Sequence, residues 1–174
     1  MAITSDQIIY EYGTPDGNQP LNAGIASTVQ LYRGTVALLS GSGSGGTQGY
    51  LKNADTPTSK DLVLGMISKY GPGNVADTIP GLLGGSTDGA TSAEILTGSF
   101  LMASGTGSDQ LSVSTGGTTV YLINSVTVGA TNGGGSRPVA GVQLPAGDLA
   151  NLPVGVGGLY PIKLGTPNSP LGGP

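Results

Sequence analysis

Hydrophobic residues recur along this chain in short runs, most with a period of two, and each run is closed by Gly, Pro, Asn or Asp. Thr28-Val29-Gln30-Leu31-Tyr32 alternates, and Thr35-Val36-Ala37-Leu38-Leu39 follows after Gly34, which the pattern reads as a bulge or tight bend. Gly49-Tyr50-Leu51-Lys52-Asn53-Ala54 is a further short strand. Leu62-Val63-Leu64-Gly65-Met66-Ile67 is apolar throughout; with Gly65 inside and Gly71-Pro72-Gly73 closing it, it fits a strand buried on both faces better than a helix. Ala93–Thr97 and Ser99–Ala103 flank Gly98, a short helical turn is expected over Asp109–Thr115, and Thr118–Ile123 and Ser125–Val128 alternate well. Val139–Leu144 and Leu159–Leu164 complete the series. No window of twelve or more residues carries a helical period. Short strands with turn signals at this spacing predict an all-β fold, a compact β-sandwich or β-barrel with long Gly-rich loops.

The two ends and one internal stretch stand apart. Gln7-Ile8-Ile9-Tyr10-Glu11-Tyr12 has strand composition and is followed by the turn cluster Gly13-Thr14-Pro15-Asp16-Gly17-Asn18. An apolar, aromatic stretch of this kind needs a partner. It is either the first strand of the domain's own sheet or an extended N-terminal arm that adds to a neighbouring subunit or another protein. The division adopted is an arm over 1–27, a β-domain over 28–165 and a flexible Pro/Gly-rich tail over 166–174. Ser40–Gly46 is read as a flexible loop, and 71–91 as a long connection of the kind usually functional or disordered.

Composition narrows the chemistry. The 174 residues include 33 Gly and 12 Pro, and only 9% are charged, against roughly 25% in ordinary globular domains. Ten acids and six scattered bases give a net charge of −4, which argues against nucleic acid and anionic membrane as partners. No stretch reaches the ~20 apolar residues of a membrane helix. The first residues lack a basic and an apolar signal region, so synthesis in a cytoplasm is expected. Cys and His are absent, which removes disulfides, thiolate metal sites and the commonest general base. The core is left to Val, Leu, Ile and Ala, and a thin core of this kind gains much of its stability at an interface.

Three motifs deserve weighing. Gly41-Ser42-Gly43-Ser44-Gly45-Gly46 has a dinucleotide-binding spacing, but Thr47-Gln48-Gly49-Tyr50 is no helix start, so the stretch reads as a solvated loop. Gly105-Thr106-Gly107-Ser108-Asp109-Gln110-Leu111 matches most of a calcium-binding nonapeptide, a motif that binds only when copies stack; it occurs once and reads as an Asp-bearing turn. Asp16, Asp88 and Asp109 lie in Gly-rich turns and are turn formers before they are calcium ligands. With Glu11 and Glu94 the only glutamates and no Trp, a paired-carboxylate glycosidase is disfavoured. No catalytic residue, metal ligand or cofactor site is assigned, and the expectation is that the chain is not an enzyme.

Tyr32-Arg33-Gly34-Thr35-Val36-Ala37-Leu38, Gly49–Ala54, Leu64–Ile67, Thr97–Leu101, Val120–Asn124, Val126–Thr131, Arg137–Val142 and Ile162–Leu164 together resemble the head decoration (capsid cement) proteins of tailed bacteriophages. The resemblance covers roughly residues 30–165 and consists of strand-and-turn patterns, with no catalytic signature. It implies a structural virion protein on the outer surface of an icosahedral capsid, stabilising it. The implied partners are the major capsid protein and further copies of the chain, as a homotrimer or alternatively a homodimer. The implied location is the capsid exterior, after synthesis in the bacterial host cytoplasm. Ile8, Ile9, Tyr10 and Tyr12 are then the expected contacts of the arm with the capsid or a neighbouring copy. The alternative is a phage head fibre or adhesin-type binding module.

Overall fold

The structure, a computed structural model, describes Ile3, Gln7, Ile9 and residues 21–44, 46–70, 81–112, 114, 116–145 and 158–165. The described chain is built from strands, as the alternation predicts. They run β1 (Leu21–Gly24), β2 (Gln30–Leu31), β3 (Val36–Leu39), β4 (Leu51–Lys52), β5 (Leu62–Tyr70), β6 (Leu82–Leu83), β7 (Ser92–Leu96), β8 (Ser99–Ser104), β9 (Thr119–Asn124), β10 (Thr127–Gly129), β11 (Val139–Gln143) and β12 (Leu159–Leu164). Two short 3₁₀ turns, Gly107–Asp109 and Gly133–Gly135, replace the longer helical turn expected after Asp109.

The strands divide into two sheets and a ribbon. β10-β8-β12-β11-β9 closes into a five-stranded barrel, antiparallel except for β10 against β8. Closure removes the exposed edges that would otherwise invite association. The second sheet has the order β1-β7-β5-β3-β4 and is antiparallel. Its two edges meet just past β1, where Ile25 bridges Leu51 and the Ala26 N–H donates to the Leu51 carbonyl at 3.0 Å, so this sheet curls toward a second barrel. β2 and β6 form a separate two-stranded ribbon.

Side-chain alternation fills both layers. In the barrel Phe100 and Met102, Val120 and Leu122, and Ile162 and Leu164 are buried in period-two pairs. In the curled sheet β3 sends Val36 and Leu38 to the barrel core and Ala37 to the sheet's own core, beside Ile25, Leu51, Leu64, Ile67 and Ile95. β5 lies between these two cores, with Val63 and Met66 on the barrel side and Leu64 and Ile67 on the other. That is the physical reason its sequence is apolar without alternation. A register shift against β3, between Ala37 and Leu38, rephases the strand. It falls beside Gly65, where any Cβ would collide with the Leu96 carbonyl.

Three expectations need correction. Residues 21–27, assigned to the arm, belong to the body: Leu21–Gly24 pair with β7 from Leu21↔Ile95 to Gly24↔Ser92, and Ile25 is fully buried. The small residues Ala23 and Gly24 hide this strand from a reading based on bulky alternation. The run Thr28–Tyr32 is mostly turn, because Ala26–Val29 closes with Thr28 at φ 60° and leaves only Gln30 and Leu31 to pair. The loop Ser40–Gly46 is not loosely solvated, since Ser40 and Ser44 are buried and their hydroxyls bond to each other. Within 71–91, residues 71–80 lie outside the described residues. From Gly81 on the chain is tied down by Gly84 N–H to the Val29 carbonyl, Thr28 N–H to the Gly85 carbonyl and Gly89 N–H to the Ile25 carbonyl. The expected tail 166–174 also lies outside the described residues.

Candidate interaction surface

The ionisable side chains of the described residues are largely committed to holding loops. Lys52, on β4, faces inward and its Nζ lies 3.0 Å from Asp61 Oδ2, with the Asp61 side chain wholly buried. Burial alone would raise the Asp61 carboxyl. Against it act the Thr58 N–H at 2.8 Å, the Lys52 ammonium, the Ser44 hydroxyl and the Gly41 N–H, and together they hold it below the ordinary carboxylate value. One carboxylate thus pins the Ser40–Ser44 loop, β4 and the turn before β5. The stretch with dinucleotide-like spacing leads through a turn to β4, and a lysine and an aspartate from later in the chain lie beneath it.

Asp109, the centre of the calcium-like nonapeptide, has a cationic partner already. Arg137 Nη1 lies 2.7 Å from Asp109 Oδ1 and 3.2 Å from the Thr131 carbonyl, and the Thr131 hydroxyl donates to the same carboxylate oxygen. The guanidinium therefore sits among oxygens of the type a calcium ion would use. Its hydrogen bond, followed by that of Thr131, holds the Asp109 carboxyl below the ordinary value. The remaining described carboxylates are similarly engaged. Asp88 accepts the Ser27 N–H at 2.7 Å, Glu94 accepts the Ser68 hydroxyl at 2.6 Å, and Asp55 accepts from Ser125.

The Asp55–Ser125 bond marks the seam between the two sheets. Ser125 lies in the β9–β10 turn of the barrel, and its carbonyl accepts the Val36 N–H of β3 at 2.8 Å. The N-terminal segment crosses this seam. The Ile3 N–H donates to Asp55 Oδ2 at 3.3 Å, the Gln7 N–H donates to the Arg33 carbonyl at 2.7 Å, and Ile9 packs against the core shared by the barrel and β3–β5. Gly34, at φ 76°, lies against the Gln7 carbonyl so closely that a Cβ would clash with it. Of the four expected arm contacts, Ile9 is thus seated on this chain's own body, while Ile8, Tyr10 and Tyr12 lie outside the described residues.

Elsewhere the described surface is apolar at one prominent place. Leu83, paired with Gln30 in the β2–β6 ribbon, is 57% exposed, the only large hydrophobic residue so placed among the described residues. Sequence reading noted Leu82-Leu83 but had no means of telling which of the many apolar positions would be left uncovered. It also took Gly34 for a bend alone; its second role, leaving room for the Gln7 carbonyl, depends on a residue far earlier in the chain. Comparison of the chain with protein-family models, curated proteins and solved structures gave no match in any of the three.

Proposed function

We propose that this chain is a capsid decoration protein of a tailed bacteriophage, binding the outer surface of the icosahedral shell and bracing it as a structural component. Its partners in this reading are the major capsid protein and further copies of itself, arranged as a trimer about a local symmetry axis. The observation that carries the proposal is the use the fold makes of its few charges. Only 9% of the chain is charged, and all five described carboxylates (Asp55, Asp61, Asp88, Glu94 and Asp109) accept hydrogen bonds that fix loops and the seam. What is left for the exterior is Gly, Ser, Thr, Asn and small apolar groups. The buried centres of protein interfaces are depleted in Lys, Glu and Asp in the same way. Many weak contacts of this type become strong when symmetry repeats them.

The test is direct. Purified protein is incubated with phage shells that lack it, and the particles are imaged by electron cryo-microscopy. Ordered density on the outer surface, in fixed ratio to the capsid subunits, is the expected result. Bare shells at saturating protein concentration would refute the reading.

A further inference from the structure

From the seating of the N-terminal segment we infer that the seam between the two sheets is a receptor groove for an extended strand, and that in an assembly of copies its occupant is the N-terminal segment of a second copy. This deepens the proposed function, and rests on it only for the statement that several copies meet.

The groove is made by parts that do not otherwise need to be where they are. Asp55 offers one carboxylate oxygen to Ser125 of the barrel and the other to the Ile3 N–H. The Arg33 carbonyl receives the Gln7 N–H, and Gly34 leaves open the space that the Gln7 carbonyl enters. Beyond them a gap in the core surface takes Ile9. Two of these contacts use backbone N–H groups of the incoming segment and one uses a single apolar side chain, a pattern shared with peptides captured as added strands. The attachment is also light: two hydrogen bonds, each worth ~1 kcal/mol net, and one partly buried isoleucine. A strap so lightly held can leave and return without unfolding the body.

Whose segment fills the groove is then a matter of reach and concentration. Residues 10–20 join Ile9 to Leu21, and a connection of that length spans at most about 40 Å when extended. That is enough to reach a second copy in contact with the first. The same contacts form in cis and in trans, so exchange costs no interaction energy, as in other swapped assemblies. Tethering gives the cis segment an effective concentration of the order of mM, and copies gathered side by side reach comparable local values.

The chain has no cysteine, so exchange can be read by cross-linking. Ile3→Cys is made in one full-length protein and Thr56→Cys, at an exposed position beside Asp55, in another. The two are co-refolded at ~1 mM, the concentration at which capture in trans competes, and treated with a short bis-maleimide. A chain carrying both cysteines reports seating in cis. The expected result is a covalent dimer of Ile3→Cys with Thr56→Cys chains, at twice the 17.0 kDa of one chain, with a yield that falls steeply on dilution. A cross-link confined to the doubly substituted chain at every concentration overturns the inference, and so does the absence of cross-link in both. Neither result bears on shell binding: a protein that seats its strand only in cis can still decorate capsids, and one that exchanges strands can still fail to bind them.

Discussion

At the scale of single residues, the Lys52–Asp61 pair shows how unequal the two halves of an ion pair can be. Asp61 receives the ammonium and, besides it, the N–H groups of Thr58 and Gly41 and the Thr58 hydroxyl. Lys52 has Asp61 and, at 3.4 Å, the Ser44 carbonyl. Removing the carboxylate strands a buried cation and several donors, which costs about 3–5 kcal/mol. Removing the ammonium leaves a carboxylate that still has three donors. Asp61→Ala should therefore lower the urea midpoint well below that of Lys52→Met; the reverse order would show that the lysine, not the aspartate, organises the loop. The same carboxylates set the acid limit of the fold. Asp61 and Asp109 are both held below their ordinary value of 3.8. A depressed folded value contributes stability that is present above the unfolded value and lost as pH falls through the folded one. The melting temperature should thus be flat through neutral and mildly acidic pH and fall below about pH 4. Arg137→Met, which removes the largest cause of the Asp109 depression, should make that fall shallower; an unchanged slope would mean that Asp109 takes no part in it.

At the scale of elements, β5 tests the packing argument. Its two faces belong to two cores, so any change in its phase is felt in both. Gly65→Ala places a methyl group against the Leu96 carbonyl, which as ladder backbone has no room to withdraw. Overpacking of this kind costs ~1–3 kcal/mol, and because the strand is shared, the loss should appear as one cooperative transition at a lower urea midpoint. Two separated transitions would mean that the barrel and the curled sheet fold independently. The same strand shows what was legible in the sequence. The unbroken run Leu62–Ile67 and its glycine identified a strand covered on both sides, and the alternation in Val120–Leu122 and Phe100–Met102 identified barrel positions. β1 was not legible as part of the body, because Asn22, Ala23 and Gly24 carry almost no pattern and their place comes from pairing with β7, some seventy residues on. Nor was the seam, where Asp55, Ser125 and Ile3 meet from three distant parts of the chain. Strand periodicity is a local property; which strand lies beside which, and which loop needs a carboxylate, are decided by contacts that no window of sequence contains.

At the scale of the whole molecule, the distribution of charge decides what kind of adhesion the protein can offer. A protein with six bases and ten acids in 174 residues, whose two described ion pairs are internal, has little with which to steer a partner over distance. Interactions between exposed charges are screened over ~10 Å at 0.1 M salt, so a charge-driven contact weakens markedly as salt rises. Contacts made by apolar groups and backbone hydrogen bonds do not depend on salt in that way, and salts excluded from protein surfaces strengthen them. Occupancy of shells by this protein, measured by co-sedimentation, should therefore change little between low and high sodium chloride and rise in sulfate. Leu83 offers a local check on the same argument: if the exposed leucine of the β2–β6 ribbon lies within the contact, Leu83→Ser should weaken occupancy without moving the urea midpoint, since the side chain is 57% exposed in the free protein. A steep loss of occupancy with sodium chloride would instead place the affinity in the few surface charges, and would leave the uncharged exterior without the adhesive role argued for it.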